Sequence, residues 1–515
     1  MSPVVLSSAE SVERFHKFIF ADRTARAPYL YGLELCVKYG SDIPTEGSIS
    51  QKRLIAILEA ATRLERLEFP TTLGYSVCSA VAKMATLREL TVLSEYASYD
   101  PHNPEPLTRL LTGLRSPLRY LWIVDFEQEH IPISLSFLHS HLSHFAPTLE
   151  SLTLRAFSWT IDALSVTTPF AAVRSLHIYS AHQYEFSPLD VLLNLFPNLD
   201  GTLFLECVTL PHNVDECLAL RRQNQDAQRE HTWPGLSRVT YSPATAFIMA
   251  LRCPIRCMSI QGPVKRDGNR YLTEALRDNC PQRLVLPIML FGHDDLQILD
   301  GLFPPEAGHR LTHLVLFLDT ELNSHYANIS WDEFMDALVR STAHLRSLTH
   351  LRIVLHFFVR PPADYKPYTL SPEPDGSEYD EAVAQYIAQD ADLGPAATRL
   401  LDTLPSLEYV LLTTCGVRPF FQPWKHWHTS RAWRATPVTS SAVAVDDLGL
   451  GSGEPEPEEP HRHGRGGPPL GTSFAIDTQD RSRGGRSCVE ISCEAAEAVV
   501  NKEELWLDMD EEDAS

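Results

Sequence analysis

Read along the chain, the apolar residues fall into a spaced triplet. One apolar residue is followed by two variable ones, a second apolar residue, one variable residue and a third apolar one. The triplet occurs at Leu30/Leu33/Leu35, Leu64/Leu67/Phe69, Leu87/Leu90/Val92, Leu118/Leu121/Ile123, Leu149/Leu152/Leu154 and Val173/Leu176/Ile178. It continues at Leu236/Val239/Tyr241, Ile255/Met258/Ile260, Leu311/Leu314/Leu316, Leu348/Leu351/Ile353 and Leu407/Val410/Leu412, with degenerate copies at Leu199–Leu205 and Leu284–Leu286. The last two positions of each triplet alternate, as a strand with one buried face requires.

Stretches with helical spacing lie between the triplets. Leu54, Ile55, Leu58 and Ala61 share a face, as do Leu107, Leu110, Leu111 and Leu114, and Leu135, Leu138, Leu142 and Phe145. Each unit reads as strand, loop, helix, loop, and the first positions of the first seven copies stand 34, 23, 31, 31, 24 and 26 residues apart. One such unit cannot bury its apolar face alone, so units must stack and share a core. The expected fold is α/β: an irregular leucine-rich-repeat solenoid of about 13 units over residues 1–436, with parallel strands on a concave side and helices on a convex side. A doubly wound cofactor-binding sheet would need Gly-rich turns after its strands. These loops carry Pro and Ser instead.

Two segments interrupt the register as insertions, residues 221–234 (RRQNQDAQREHTWP) and 360–380, the latter rich in Pro, Asp and Glu. The Trp-rich segment 419–434 closes the repeats and reads as a terminal cap. Residues 437–515 turn to Gly, Pro, Ser and acidic residues, too few of them apolar to offset the entropy of ordering, and are expected to be disordered.

The residue between the last two apolar positions of each triplet faces away from the core. In order these are Glu34, Glu68, Thr91, Trp122, Thr153, His177, Phe204, Thr240, Ser259, Val285, Val315, Arg352 and Leu411. Tyr120, Arg155, Tyr179, Phe317, His350 and His356 flank them. From this surface Trp122, Tyr120, Thr153, Arg155, His177, Tyr179, Phe204 and Arg352 are the candidate partner-binding residues, since aromatic and Arg side chains tend to anchor protein interfaces.

Charge sharpens the picture. The formal net charge is −22, and residues 441–515 alone carry −12 of it, leaving the repeats mildly acidic. That balance argues against tracking nucleic-acid phosphates or an anionic membrane. The start has no signal-peptide character, and no apolar run approaches the roughly 20 residues of a membrane span. The ten cysteines are scattered singly, mostly within apolar strings. An intracellular protein, cytoplasmic or nuclear, is the expectation.

Chemistry is sparse. No phosphate loop, nucleophile elbow or zinc-protease motif occurs, and Gly449–Gly453 runs into a Glu-Pro repeat rather than a helix. Cys253 and Cys257 lack a second close pair to complete a zinc site. No catalytic, cofactor-binding or metal-ligating residue is assigned, and the chain reads as a non-enzyme.

The opening SPVVLSSAESVERFHKFIF, the stretch Ala27–Leu35 (APYLYGLEL) and phrases such as Pro147–Leu154 (PTLESLTL) resemble the repeat region of fungal, basidiomycete-type F-box proteins. The resemblance covers residues 1 to about 435 and implies that the repeats hold a substrate for a cullin ubiquitin ligase. The F-box itself, which opens with Leu-Pro and an acidic residue and docks on the ligase adaptor, is not detectable here. An adaptor is therefore expected as a partner only if an F-box lies upstream of Met1. The function expected is a non-catalytic protein-interaction module binding a protein on its concave strand face. The alternative is a regulatory protein acting through its acidic tail, by a linear motif around Trp506.

Overall fold

The computed structural model describes residues 2–36, 48–94, 105–125, 135–157, 168–180, 189–206, 214–262, 264, 266–290, 293–322, 331–359, 393–418, 425–437 and 486–505. Its strands are β1 (Val4–Val5), β2 (Gly32–Glu34), β3 (Arg66–Pro70), β4 (Glu89–Ser94), β5 (Tyr120–Asp125) and β6 (Ser151–Phe157). Then follow β7 (Ser175–Ser180), β8 (Thr202–Glu206), β9 (Leu236–Tyr241), β10 (Ile255–Ile260), β11 (Arg283–Leu290) and β12 (His313–Leu322). The last are β13 (His350–Val359), β14 (Tyr409–Arg418), β15 (Lys425–Pro437) and β16 (Arg486–Ile491). All sixteen form one sheet in sequence order. Pairing is parallel from β1 to β14 and antiparallel from β14 to β16.

Every triplet coincides with a strand from β2 to β14, the degenerate copies being β8 and β11. The triplet residues are buried and share one continuous core with the inward faces of the intervening helices. At the start of the strands a backbone ladder repeats from unit to unit. The Tyr31 carbonyl accepts from the N–H groups of both Glu65 and Arg66, that of Arg88 from Arg119 and Tyr120, and that of Thr312 from Thr349 and His350. Strand order is thus copied down the stack through local contacts, which is how uneven unit lengths are tolerated.

The first unit begins before the first triplet. Ser8 caps the helix Ala9–Ala21 by a reciprocal bond with Ser11, and β1 pairs with β2. At the other end β15 lies antiparallel on β14, with Trp433 in the main core.

Two expectations need correction. Residues 221–230 are not an inserted loop but part of a helix, Val214–Glu230, that occupies a regular unit position between β8 and β9. Its polar residues face inward for a reason. Arg221 donates to the Phe247 carbonyl at 2.5 Å, Asn224 to Ile248 at 3.0 Å and Gln228 to Ala250 at 3.0 Å. They cap the C-terminal end of the next helix, Pro243–Met249, whose last carbonyls lack intrahelical donors. The tail, expected to be disordered over 437–515, is folded between Arg486 and Leu505. It adds β16 and a helix, Cys493–Lys502, capped by Ser492. Residues 360–380, Trp424 and Trp506 lie outside the described residues.

Candidate functional site

Strand register decides what the outward row can do. Glu34, Glu68, Thr91, Trp122, Thr153, His177, Phe204 and Thr240 are direct neighbours across successive strands. Ser259, Val285, Val315, Arg352 and Leu411 continue the row from β10 to β14. With neighbouring strands about 4.8 Å apart, the segment from Trp122 to Phe204 spans roughly 14 Å.

Its first half is open among the described residues. Tyr120 and Trp122 are 45% and 43% exposed, rare for large side chains held on a central strand. Thr153 lies between Trp122 and His177. His177 stacks on Phe204 at 5.7 Å between ring centres, and Tyr179 meets Phe204 at 4.6 Å. The Arg155 guanidinium sits over the Tyr179 ring at 4.8 Å, a cation–π contact, while its Nε is buried without a hydrogen-bond partner. Burial lowers the His177 pKa and raises that of Tyr179. Burial also raises the pKa of Glu206, which pairs with Tyr179 across the strands, against the pull of Arg155. The sequence-derived residues of this half therefore come together as one aromatic platform with a single cation on it.

The second half is covered, and Arg352 does not belong to an open surface. Arg352 is 8% exposed and donates from Nη1 to the Leu505 carbonyl at 2.6 Å. Val285, Val315, Phe317, Val354, Leu411 and Ala432 form a second apolar cluster with Leu505, against which Ile491, Ala496, Val499 and Val500 pack. The C-terminal segment thus lies across the outward face of the last units. Sequence reasoning placed Arg352 on the correct face but had no means of seeing what covers it.

Charged contacts surround this cluster. Arg256 Nη2 reaches both carboxylate oxygens of Glu504, at 2.7 and 2.6 Å. Arg283 donates to the Glu503 carbonyl at 2.5 Å and also bonds the Glu503 carboxylate at 3.3 Å. Burial works to raise both carboxyl pKa values, yet both lie below the ordinary one. Bonds to Lys502 and His313 hold Glu503 down, and Arg256 does most for Glu504. Arg283, His313, His350 and Tyr409 are register neighbours in the row beside the outward one, and Arg434 pairs with Tyr409. That run of basic and aromatic residues was readable from the triplets, since each member directly precedes a second apolar position.

His313, His350 and Glu503 bring possible ligand atoms within 4.8 Å of one another. The hydrogen bonds explain the cluster without a metal. Thr312 Oγ1 donates to the Gln282 carbonyl, so it accepts from His313 Nδ1 at 2.8 Å. Thr349 does the same with the Thr312 carbonyl and His350 Nδ1. Both imidazoles therefore turn Nε2 outward, but their rings stack at an interplanar angle of 5°, so the two lone pairs run side by side rather than converge. Glu503 is held by Arg283; His313 Nε2, 3.2 Å from its carboxylate, can donate to it only when the ring is protonated, since Nδ1 carries the proton of the neutral ring. The arrangement grips a carboxylate.

Burial pushes the Cys78, Cys253 and Cys280 thiols up to about 11, the state of inert core residues. No helix among the described residues is long and apolar enough to cross a membrane.

Neither a protein-family model nor a curated protein matches the chain. Among solved structures it is similar to one described as "Crystal structure of TLR13-ssRNA13 complex", at 13% identity and a TM-score of 0.25. The match covers 58% of this chain and 44% of that one. The order and pairing of its own strands, with helices between them, make this chain an α/β protein of leucine-rich-repeat type.

Proposed function

We propose that the chain is a non-catalytic binding module that holds a protein segment on the open half of its outward strand face. The observation that carries this is the exposure of Trp122 and Tyr120 beside the Arg155–Tyr179–Phe204 stack. Strands fix these rings in place, so little conformational entropy is lost when a partner covers them. Thr153 and His177 fill the space between the two groups and add polar contacts. Repeat folds of this type commonly serve as binding modules, and among the described residues no arrangement of nucleophile, base and oxyanion donors competes for this surface. The partner sought is a protein rather than a nucleic acid, because the single cation Arg155 on an acidic chain makes a poor phosphate track.

The resemblance to fungal F-box receptors makes a ubiquitin-ligase substrate the first class of partner to test. Affinity capture with the full chain, followed by quantitative mass spectrometry, is the experiment. A partner retained by the native protein is expected to be lost from Trp122→Ala and Tyr179→Ala variants. Equal recovery by native and variant proteins would remove the open face as the binding site.

A further inference from the structure

We propose that the outward face of β10–β14 is a receptor site for acidic, leucine-bearing peptide segments of partner proteins, occupied here by the chain's own Glu503-Glu504-Leu505. This concerns the other half of the face from the function proposed above, so either reading can fail alone.

Three features support exchange rather than a permanent structural cap. First, the ion pairs and the one fully buried side chain come from three consecutive residues, whereas Ile491, Ala496, Val499 and Val500 are only partly buried against the cluster. Glu503 is held by Arg283, and Glu504 by Arg256 and Arg283. Leu505, at 1% exposure, enters the apolar cluster while Arg352 binds its carbonyl. The preceding helix Cys493–Lys502 contributes no fully buried residue. Second, the grip is chemically specific. Two guanidiniums complement paired carboxylates, and Val285, Val315, Phe317, Val354 and Leu411 supply an apolar seat. Third, Glu504 adopts φ 51°, a left-handed conformation unfavourable for a residue with a Cβ. Glu504 follows the C-cap in a Schellman turn, with the Leu505 N–H donating to the Val500 carbonyl at 3.0 Å, a position that favours glycine. Seating its own segment therefore costs the chain this strain, which weakens self-occupancy.

Fluorescence anisotropy with a labelled synthetic peptide of residues 496–508 provides the test, using full-length protein throughout. The native chain is compared with a Glu503→Arg/Glu504→Arg/Leu505→Asp variant, whose own segment cannot seat. The variant is expected to bind the peptide saturably and at least tenfold more tightly than the native chain. Adding Arg283→Glu to the variant is expected to weaken binding tenfold or more, and a peptide with Lys in place of both Glu residues should not bind. Should the triple variant lose its circular-dichroism signature, Glu503→Gln/Glu504→Gln, which keeps the shape, is the substitute, with a smaller but measurable gain over native. The proposal is overturned if a folded variant shows no saturable binding, if native and variant bind alike, or if Arg283→Glu has no effect. It is also overturned if sedimentation finds the native chain dimeric and the triple variant monomeric, since the segment would then belong to a second copy.

Discussion

Replacing Asn224 by Ala tests the least expected packing device in the molecule. Asn224 is 3% exposed and sits in the middle of the helix Val214–Glu230. Its Nδ2 donates to the Ile248 carbonyl at 3.0 Å, near the C-terminal end of the following helix. Its Oδ1 accepts from the Leu189 N–H at 3.2 Å, at the N-terminal end of the preceding helix Leu189–Leu195. One amide therefore satisfies a donor where the helix dipole is positive and an acceptor where it is negative, linking three consecutive units. Alanine leaves both groups buried and unpaired, each at a cost of about 1–3 kcal/mol, so a loss of about 3 kcal/mol is expected. Asn224→Asp keeps the acceptor for Leu189 but turns an oxygen toward the Ile248 carbonyl and buries a charge. It should cost at least as much as alanine. The urea midpoint measures the global effect. Hydrogen exchange measures the local one, which matters because a stack of units does not unfold as one two-state body. Exchange should accelerate over 189–195 and 243–250 well before the units of β2–β5 respond. A loss under about 1 kcal/mol for both variants, or acceleration spread evenly along the stack, would refute the capping argument.

Other outcomes follow from the same geometry. Trp122→Ala and Tyr179→Ala should each weaken a ligand of the open face by tenfold or more in titration calorimetry, while Trp122→Ala, at a largely exposed site, leaves the melting temperature nearly unchanged. Gly308→Ala should destabilise the chain by about 2 kcal/mol in urea unfolding, because the added Cβ would stand 2.5 Å from the His344 carbonyl oxygen. His350 is pushed down from 6.5 to about 4 by burial, with His313 and Arg283 adding to the effect and Glu503 and Glu408 opposing it. Tyr409, itself covered by Arg434, stacks on its ring. Because the folded value is the depressed one, stability is fully present above about pH 6.5 and falls as pH drops toward 4, by about 3 kcal/mol at most. Proton NMR titration of the His350 ring should give that midpoint, and one near 6.5 would contradict its burial.

The repeat was legible because its signal is geometric. A triplet such as Leu149/Leu152/Leu154 places three side chains on one side of a strand and its approach, and all three are fully buried. Even the degenerate copies kept enough of that spacing to mark β8 and β11. The helix at Val214–Glu230 was not legible for a physical reason. Sequence patterning treats polarity as a sign of solvent, whereas Arg221, Asn224 and Gln228 are polar because their targets are the carbonyl oxygens of a buried helix end. Their spacing of three and four is helical all the same. The tail escaped because its apolar residues Ile491, Val499, Val500 and Leu505 are few against an acidic background. Composition averages them away, while the fold uses them one at a time.

Period alone tells which side of a strand a residue occupies and never whether that side stays uncovered. The outward row nevertheless carries a further signal in the kind of residue it presents. It begins with Glu34, Glu68 and Thr91 and ends with Val285, Val315, Arg352 and Leu411, a largely aliphatic end that suits units shielded from water. Beside those aliphatic residues run Arg283, His313 and His350, the complement of an acidic segment, and the chain's own acidic residues lie beyond the repeats. Taken together, aliphatic outward positions, a basic neighbouring row and a tethered acidic sequence specify an intramolecular contact that none of them implies alone. Tyr120 and Trp122 are exposed on the first half of the row, whereas the basic and aliphatic second half already holds the carboxylates of Glu503 and Glu504.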